Sequence, residues 1–494
     1  LSLVGSEMCI RDRSMAGKTE FSTDFEKNKK RIDELLKVDQ SFDLLYRVVM
    51  IGGKKACFYF IDGFCKDEIM EKILEFLYKI TPEEMPENAH DFLKKKLPYG
   101  EIDLVRTEND FLQRMLSGVP MLIVEGYSEC LAMDFRTYPG RSVDEPEKDK
   151  VMRGSRDGFV ETVVFNAALV RRRIRSTDLV MEMHTVGSSS RTDVVVSYMQ
   201  GRVEEKLLED IKQRIDRIQV DSLSMNQQSL AECLYPKKWY NPFPKFKFTE
   251  RPDVTAASLL EGNIVIFVDN SPSAMILPTS VFDIVEDADD YYFPPVTGTY
   301  LRLSRMLINV LAVFMTPIFL LLINHPEWLP DWLSFIQIND AVHVPIYLQM
   351  MMLELMIDGL KLASVNTPSM LSTPLSVVAG IILGDYTVSS GWFNSEIMLY
   401  MAFVAVANYT QVSLELGYAL KFMRIILLTL TAAFGLWGLI GGTVFVGLCI
   451  VRNKTISGKS YIYPLIPFNA KQFLRRFCRV SPVSYTHLRA HETK

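Results

Sequence analysis

The sequence predicts an α+β (α/β) cytoplasmic domain of two small lobes, followed by an α-helical multi-pass membrane domain. The main observation is the distribution of charge, because residues 306–324, 397–414 and 425–451 carry no charged side chain. A helix needs about 20 apolar residues to cross a bilayer. Before these runs, short strand patterns alternate with amphipathic helices, as in soluble mixed domains. The mean hydropathy of +0.11 therefore averages two different parts.

Composition and motifs exclude several classes of protein. A net charge of −5 argues against a general nucleic-acid-binding protein. The seven cysteines are dispersed and form no CxxC pair, which favours reduced thiols over a disulfide framework. The six histidines form no HExxH signature, and no P-loop, GxSxG or GxGxxG motif is found. We therefore predict no enzyme activity, no catalytic residue, no cofactor and no metal site.

Both ends of the chain look foreign to the rest. Residues 1–14 and 484–494 fit no neighbouring element and resemble translated sequencing adapters, so they are interpreted as non-native extensions. Residues 15–40 form a charged N-terminal segment without the apolar core of a signal peptide after Met15. We therefore expect the N-terminal domain to lie in the cytoplasm.

The first lobe is predicted at residues 41–138. Gly52 and Gly53 supply the positive-φ positions of a hairpin turn, and apolar residues recur at helical spacing after it. The predicted elements are a hairpin at 47–62, helices at 67–80 and 108–116, and strands at 120–125 and 130–137.

The second lobe, with an acidic connector at 282–295, is predicted at residues 139–295. Asp157 is expected to cap a helix through residue 175, and Asp253 a helix over 254–261. The other predicted elements are strands at 179–186, 193–199, 263–269 and 274–278, and a helix at 203–217. Hairpins and helices occur in both lobes, so antiparallel α+β sandwiches and a parallel sheet both remain open.

The membrane domain is predicted at residues 296–452, with a basic cytoplasmic tail at 453–483. Arg302 and Arg305 precede the first span, so both ends of the domain are expected on the cytoplasmic side. This requires an even number of crossings. The apolar segments are five: 306–324, 341–360, 371–388, 397–414 and 425–451. One segment is therefore expected not to cross, either 341–360 or 371–388. Gly435, Gly438, Gly441 and Gly442 are expected to bend the last segment or let helices pack closely.

A polar, proline-containing break interrupts the apolar segments and carries the candidate ion pathway. Its candidate residues are Glu354, Asp358, Lys361, Asn366 and Thr367. Glu354 and Asp358 are four residues apart and so share one helical face. Two interpretations remain open: the carboxylates line or gate an ion pathway, or an amphipathic helix lies at the interface with its acids in headgroup water. Gln411 and Glu415 are interpreted as a capped, solvated helix end.

Three further groups have ordinary interpretations. The run Arg171–Arg175 could bind phosphate, but we interpret it as the solvated end of a helix. Asp287, Asp289 and Asp290 suggest calcium, yet no EF-hand glycine or terminal glutamate follows, so a solvated acidic linker is favoured. His184 is interpreted as a core or surface histidine without a catalytic partner.

The ordered motifs at 139–146, 153–161, 166, 250–253, 358–368 and 415–422 resemble those of the bacterial spore germination GerA family, A-subunit type. The membrane motifs at 358–368 and 415–422 resemble most a sporulation paralogue of the germinant-receptor A subunits. The family-motif residues, to which the resemblance assigns structural and not catalytic roles, are Pro139, Arg141, Glu145, Pro146, Arg153, Gly154, Arg156, Asp157, Gly158, Phe159, Glu161, Asn166, Glu250, Arg251, Pro252 and Asp253.

The resemblance implies a multi-pass protein of the inner membrane of endospores that acts in germination. It implies a homo-oligomeric, ion-conducting component in the lipid bilayer, working with other germination membrane proteins, and possible transport of monovalent ions. The alternative is a non-conducting scaffold for germinant receptors or small-molecule release proteins. A secondary transporter is less favoured, because no inverted repeat is visible in the membrane segments.

Overall fold

The computed structural model describes residues 19–97, 100–138, 150–235, 241–338, 340–366, 380 and 386–479. The chain divides into two compact units. Unit 1 comprises residues 1–151, 155–236 and 248–278, and unit 2 comprises residues 152–154, 237–247 and 279–494. Unit 1 is α+β and the described part of unit 2 is helical, so the predicted fold class is confirmed at this level. The predicted extensions, the motif at 139–146 and Thr367 lie outside the described residues.

Unit 1 contains two five-stranded sheets. The strands of the first are β1 (Leu44–Ile51), β2 (Lys54–Ile61), β3 (Ile102–Val105), β4 (Met121–Val124) and β5 (Cys130–Met133). The strands of the second are β6 (Leu179–Val186), β7 (Thr192–Met199), β8 (Lys247–Thr249), β9 (Ile264–Val268) and β10 (Ala274–Leu277). The helices are α1 (Phe25–Leu36), α2 (Asp67–Tyr78), α3 (Ala89–Lys96), α4 (Glu108–Leu116), α5 (Val163–Arg173), α6 (Glu205–Asp216), α7 (Asn226–Leu234) and α8 (Pro252–Leu260).

The two sheets share one topology. Their strand orders are β1-β2-β4-β5-β3 and β6-β7-β9-β10-β8. Among the described residues, helices occupy the same places in both repeats: one before the hairpin, two after it, and one between the third and fourth strands. Unit 1 is therefore an internal repeat, with a first repeat at 25–133 and a second at 163–277. The hairpin loops differ, with two residues at Gly52-Gly53 and five at 187–191.

Helices cover the sheets, and this explains the strand sequences. In the first repeat, α1 and α4 pack on one face of the sheet and α2 and α3 on the other. A strand covered on both faces is an uninterrupted apolar run, as in β4, whose residues Met-Leu-Ile-Val are all buried. All neighbouring strands of the first sheet pair antiparallel, and so do β6–β7, β7–β9 and β9–β10 of the second. Of the two arrangements left open by the sequence, the antiparallel one is observed.

The helix predicted from Asp157 starts later, at Val163. The preceding backbone is extended, because Phe159 N–H donates to the Glu250 carbonyl (2.8 Å) and Val160 N–H donates to Asn166 Oδ1 (2.8 Å). Asp157 accepts instead from the Arg173 guanidinium at 2.6 and 2.7 Å. Burial alone would raise the pKa of Asp157, but Arg173 and the Ser155 hydroxyl outweigh it and hold that pKa below its usual value.

The interpretation of the arginine run as a solvated helix end is wrong for Arg171. This side chain is completely buried and forms a bidentate ion pair with Asp43, at 2.6 and 3.0 Å. Its remaining N–H groups donate to the Ser41 hydroxyl and to the carbonyls of Ser176 and Leu179. Asp43 belongs to the first repeat and Arg171 to the second, so the pair joins the two repeats. The guanidinium is needed here because it satisfies five acceptors in one plane.

The helices of unit 2 are α9 (Val281–Val285), α10 (Asp289–Tyr292), α11 (Pro295–Asn324), α12 (Ile346–Asn366), α13 (Thr387–Ser389), α14 (Ser395–Tyr409), α15 (Leu414–Val451) and α16 (Ala470–Phe477). Among the described residues, α11 and α15 are long and apolar enough to cross a membrane, and α14 is a shorter apolar helix. Residues 326–328 and 331–336 form short 3-10 turns.

Gly435 divides α15 into two helices, 414–434 and 436–451. Its φ of 57° and ψ of −132° are not helical, and a positive φ is readily adopted only by glycine. Beyond it, the helix returns along the first half: Gly438 lies against the Leu430 carbonyl, and Gly442 lies against Leu427 and Leu430. The last apolar segment is therefore a tight helical hairpin. The sequence-based expectation of a bend with close packing at these glycines is confirmed for Gly435, Gly438 and Gly442.

The acidic connector is not a solvated linker. Asp290 is completely buried and Asp289 nearly so. Asp290 pairs with Arg302 (3.3 Å) and Arg305 (3.2 Å), and Glu286 pairs with Arg302 (2.7 Å). The acids bind arginines at the start of α11 because that helix brings both cations to one face. The burial of these acids contradicts the interpretation as a solvated linker. The suggestion of a calcium site is not supported either, because no group of His, Cys, Asp or Glu in the described ranges is arranged to hold a metal ion.

We expect Arg171→Met to lower the free energy of unfolding of unit 1 by about 3–5 kcal/mol, because it leaves the Asp43 carboxylate buried and unpaired. Urea titration of the full chain with pulse proteolysis measures the change. Arg175→Met is the matched control from the same run, since that side chain is exposed, and it should change stability by less than about 0.5 kcal/mol. Equal effects of the two variants would contradict the role of the buried pair.

We expect Gly438→Val to lower the thermal midpoint of the detergent-solubilised protein by about 5 °C, because the added side chain would overlap the Leu430 carbonyl. Gly441→Val is the matched control, since nothing lies within 4 Å of a Cβ at this position. If both variants have the same thermal midpoint, the close approach of the two halves of α15 does not explain the loss of stability.

Candidate functional site

A quartet of charged side chains lies among the apolar helices of unit 2, with three members buried and one, Asp358, partly exposed. It consists of Glu354 and Asp358 of α12, and Lys421 and Arg424 of the first half of α15. Arg424 forms a bidentate pair with Glu354, at 2.6 and 2.9 Å, and donates a third hydrogen bond to the Ala312 carbonyl of α11 (3.0 Å). Lys421 Nζ pairs with the carboxylates of both Asp358 and Glu354. The quartet has no net charge, which is the condition for burying ions in a low-dielectric interior.

The helices that carry the quartet are aligned by further contacts. Tyr347 and Thr429 share a hydrogen bond of 3.1 Å, while Lys361 lies 4.6 Å from the Tyr418 ring centre. The two contacts lie at opposite ends of α12, so α12 and the first half of α15 run antiparallel. Around the quartet, apolar side chains of α11, α12, α14 and α15 form one core.

Two buried amides fix the start of α12 against α14. The Gln349 side-chain Nε2 donates to Asn394 Oδ1 (2.9 Å), and the Asn394 backbone N–H donates to Gln349 Oε1 (2.9 Å). The buried Gln349 amide thus binds both the side chain and the backbone of Asn394, since buried polar groups require partners.

The five predicted pathway residues have different surroundings. Glu354 is 2% exposed, whereas the Asp358 side chain is 32% exposed. Asp358 and Lys361 line a small cavity of about 20 Å³ with Asn408, Tyr409, Lys421 and neighbouring residues. Asn366 is exposed and its amide donates to the Leu362 carbonyl of its own helix. The structure therefore brings Glu354, Asp358 and Lys361 together along α12.

The expected polar break is absent from residues 354–366, because Glu354, Asp358 and Lys361 lie within the continuous helix α12. Pro368 and Pro374, the prolines of the expected break, lie outside the described residues. The interfacial interpretation also fails for Glu354, because its carboxylate is buried against Arg424 and not in headgroup water. The carboxylates do not interrupt the helix because their charges are neutralised by α15. Whether they line an ion pathway stays a prediction.

The sequence reasoning missed Lys421 and Arg424 as site residues. It treated them as cations that prefer the cytoplasm. A usable signal was present: two acids spaced by four in one apolar helix, and two bases spaced by three in another, form complementary faces. Gln411, expected at a solvated helix end, is half-buried and donates to Asn309 of α11.

The family-motif residues in unit 1 form one hydrogen-bonded structure. The stretch 155–161 and the motif Glu250–Asp253 meet where Phe159 N–H binds the Glu250 carbonyl and Arg251 donates to the Ser155 carbonyl (3.0 Å). Arg251, not Asp253, is the N-cap of α8, and the Asp253 carboxylate binds the Arg251 guanidinium at 2.7 Å. Asn166 closes the loop through Val160. These residues hold a loop and carry no visible chemistry.

The other motif residues differ in exposure. Gly158, Phe159 and Pro252 are buried, whereas Arg153, Arg156 and Glu161 are exposed. Gly154, in unit 2, has a φ of +125° and lies against the Tyr292 ring, so a larger residue would not fit. The His184 ring lies next to two carboxylates, with Nδ1 3.2 Å from Asp216 and Nε2 3.9 Å from Glu182.

A buried lysine holds the end of the α15 hairpin. Lys245 is 3% exposed, and its ammonium donates to Asn453 Oδ1 and the Lys454 carbonyl, just after α15. Phe243 and Tyr461 pack beside it, with ring centres 6.1 Å apart. Burial lowers the pKa of Lys245 from 10.5 to about 8.

The Lys245 pKa predicts a pH dependence of stability. The folded-state pKa of about 8 lies below the unfolded value of 10.5. Between pH 8 and pH 10.5 the unfolded chain therefore binds more protons than the folded chain. Because of this difference, the free energy of unfolding increases as the pH rises. We expect the thermal midpoint of the wild type, relative to Lys245→Met, to rise from pH 8 to pH 10.5. The exposed Lys454→Met is the control and should not show this change. A constant difference between wild type and Lys245→Met would contradict the lowered pKa.

Comparison with known proteins agrees with the motifs. The chain matches the family model described as Bacillus/Clostridium GerA spore germination protein over residues 30–491. Stage V sporulation protein AF of Bacillus subtilis (strain 168) is 35% identical over 446 residues, which is 90% of each chain. Uncharacterized membrane protein YfkQ of the same strain is 26% identical over 443 residues, 88% of this chain and 85% of that one.

A solved structure is also similar to part of the chain. It is the N-terminal domain of the A subunit of the Bacillus megaterium spore germinant receptor GerK3, with 27% sequence identity and a TM-score of 0.40. It covers 53% of this chain and 96% of that one. The family resemblance inferred from the motifs is confirmed by the family model and by the sporulation relative: this chain belongs to the GerA spore germination protein family.

Proposed function

We propose that this chain is a membrane component of the spore germination apparatus that releases monovalent ions when the spore germinates. Its helical unit crosses the inner membrane of the endospore several times, and its α+β unit lies in the cytoplasm. The observation that carries the proposal is the quartet of Glu354, Asp358, Lys421 and Arg424 in a member of the GerA family. Ionisable residues within apolar helices are costly, and they mark ion pathways when they are present.

The hairpin at Gly435 supports a multi-pass topology. The sequence has five apolar segments, and the reversal at Gly435 divides the last into two. Six segments are an even number, so both ends can lie on one side without discarding any crossing. Arg302 and Arg305 before the first segment and the basic tail after the last favour the cytoplasmic side. The name of the relative YfkQ describes a membrane protein, which agrees with a membrane location for this chain.

The quartet acts in this proposal as a closed gate. Each of its charges is paired, and the cavity beside it holds about one water molecule. A hydrated ion needs more space. Conduction therefore requires either opening of the Asp358–Lys421 side of the quartet or a path between copies of the chain. We propose a homo-oligomer that works with other germination membrane proteins, in which Asp358, Lys361, Asn366 and Thr367 continue the path from Glu354.

A non-conducting scaffold is the second candidate. The full pairing of the quartet favours it, because a neutral, satisfied network can simply hold α11, α12 and α15 together. The two functions differ in what the purified protein does in a lipid bilayer.

Planar bilayer recording distinguishes them. We expect the reconstituted full chain to conduct potassium, and Asp358→Asn to lower the potassium-to-chloride permeability ratio by at least about threefold, because the cavity lined by Lys361 and Lys421 then loses the negative charge of Asp358. Glu327→Gln is the control, since this acid is exposed in the same unit and should leave the ratio unchanged. Folded, oligomeric protein that passes no current would reject conduction and leave the scaffold. A current that both substitutions leave unchanged would remove Asp358 from the path.

A further inference from the structure

We infer that the segment after α15, residues 463–479, is a second membrane contact that lies flat on an anionic bilayer surface. This rests on the proposed membrane insertion of the helical unit. The segment contains the amphipathic helix α16, capped by the Asn469 side chain, which accepts from Gln472 N–H at 3.1 Å.

Apolar side chains of this segment are turned outward. Phe468 is 68% exposed and Leu474 is 61% exposed, and Leu465 and Ile466 are also exposed. A group of this kind, beside cationic residues, is typical of helices that lie in the membrane interface.

The positive charge of the segment, and of residues 452–462 just before it, favours binding to an anionic surface. Residues 452–479 contain no Asp or Glu, and their cationic residues are Arg452, Lys454, Lys459, Lys471, Arg475, Arg476 and Arg479. Arg476 is neutralised by Asp283 and Glu286 of the connector. The exposed Arg452 and Lys454 stand in solvent. Basic segments next to membrane helices are attracted to anionic lipid headgroups.

The position of the segment is fixed at the start of α11. Arg302 donates to the Arg476 carbonyl (3.0 Å), and Arg479 N–H donates to Thr299 Oγ1 (3.0 Å). Phe282 and Phe477 pack with ring centres 5.6 Å apart. The run without charged residues begins at Met306, about one helical turn after Arg302. The segment therefore lies where α11 enters its apolar part.

One exposed face of α11 continues the same apolar surface. Val296, Tyr300, Leu303, Leu307 and Val310 are exposed and recur at helical spacing. The stripe begins beside Thr299, at the level of the tail segment, and continues along the apolar helix. A bilayer that covers Leu307 and Val310 has its headgroup layer near Thr299, which makes the lipid surface the occupant that fits.

Fluorescent labels on single cysteines test the inference in the full chain reconstituted in vesicles. Cys9, Cys233, Cys449 and Cys478 are replaced by alanine. Cys57, Cys65 and Cys130 remain, because burial raises the pKa of each thiol well above its usual value and they react poorly with labels. The label is placed on Leu474→Cys in the tail, Leu307→Cys in α11, or Met225→Cys, an exposed position in unit 1.

Acrylamide quenching in vesicles with and without phosphatidylglycerol gives the result, because this neutral quencher is not repelled by anionic lipid. We expect quenching at position 474 to fall at least about threefold when phosphatidylglycerol is added to phosphatidylcholine. Position 307 should be protected in both vesicles and position 225 quenched in both. Phe468→Glu should restore quenching at 474 while leaving 307 protected.

Four outcomes would overturn the inference in different ways. Quenching at 474 equal to that at 225 in both vesicles would place the tail in water. Equal protection of 474 in both vesicles would remove the role of anionic lipid. Protection that appears only with other germination proteins present would assign the surface to a protein partner. Quenching at 307 would instead reject membrane insertion, and with it the proposed function.

Discussion

The pairing of Glu354 with Arg424 is the constraint on which the helical unit depends. Either charge alone inside an apolar bundle would cost several kcal/mol. Together they form a bidentate pair, and the third hydrogen bond of Arg424 reaches the backbone of α11. One side chain thus sets the positions of three helices relative to one another. The apolar core then packs around that arrangement, and Asp358 and Lys421 complete the neutral group at its more exposed side.

A buried arginine–carboxylate pair of the same kind joins the two repeats of unit 1. Arg171 and Asp43 are buried and bidentate, and the guanidinium again binds backbone carbonyls as well as a carboxylate. Such pairs specify an arrangement more than they stabilise it, because apolar contacts of the same volume would stabilise as well or better. In both units an arginine therefore determines which surfaces meet.

Much of unit 1 could be predicted from the sequence, since local patterns carry the necessary information. The helix at 108–116 and the strand at 179–186 were predicted with the bounds that the structure shows. The errors occurred where distant residues decide. The predicted helix included residues 158–162, but the Glu250 carbonyl, about 90 positions away, accepts from Phe159 N–H and this stretch is extended. The repeat was not visible because the two hairpins have different loop lengths and different side chains, and the repeats are related by the order of their strands and helices.

Two of the four quartet residues could be predicted, because only they are marked by their local sequence. Glu354 and Asp358 stand out in an apolar region, so their importance could be read locally. Their partners could not, because Lys421 and Arg424 lie more than 60 residues away and look like the positive flank of a membrane helix. The hairpin at Gly435 was foreseen as a bend, since four glycines in eight residues have few other uses in an apolar helix. Its full reversal depends on Gly438 and Gly442 allowing the two halves to touch.

The division of the chain into two units limits which fragments of the protein can fold on their own. Unit 2 is assembled from three separate stretches, and the short one at 237–247 leaves unit 1 and returns to it. That stretch contributes Phe243 and Lys245 to the buried surroundings of Tyr461 and Asn453. A fragment beginning at residue 279 would contain every apolar helix and still lack part of its own interior. The two units are thus interleaved in sequence, and neither is a module that one cut can release.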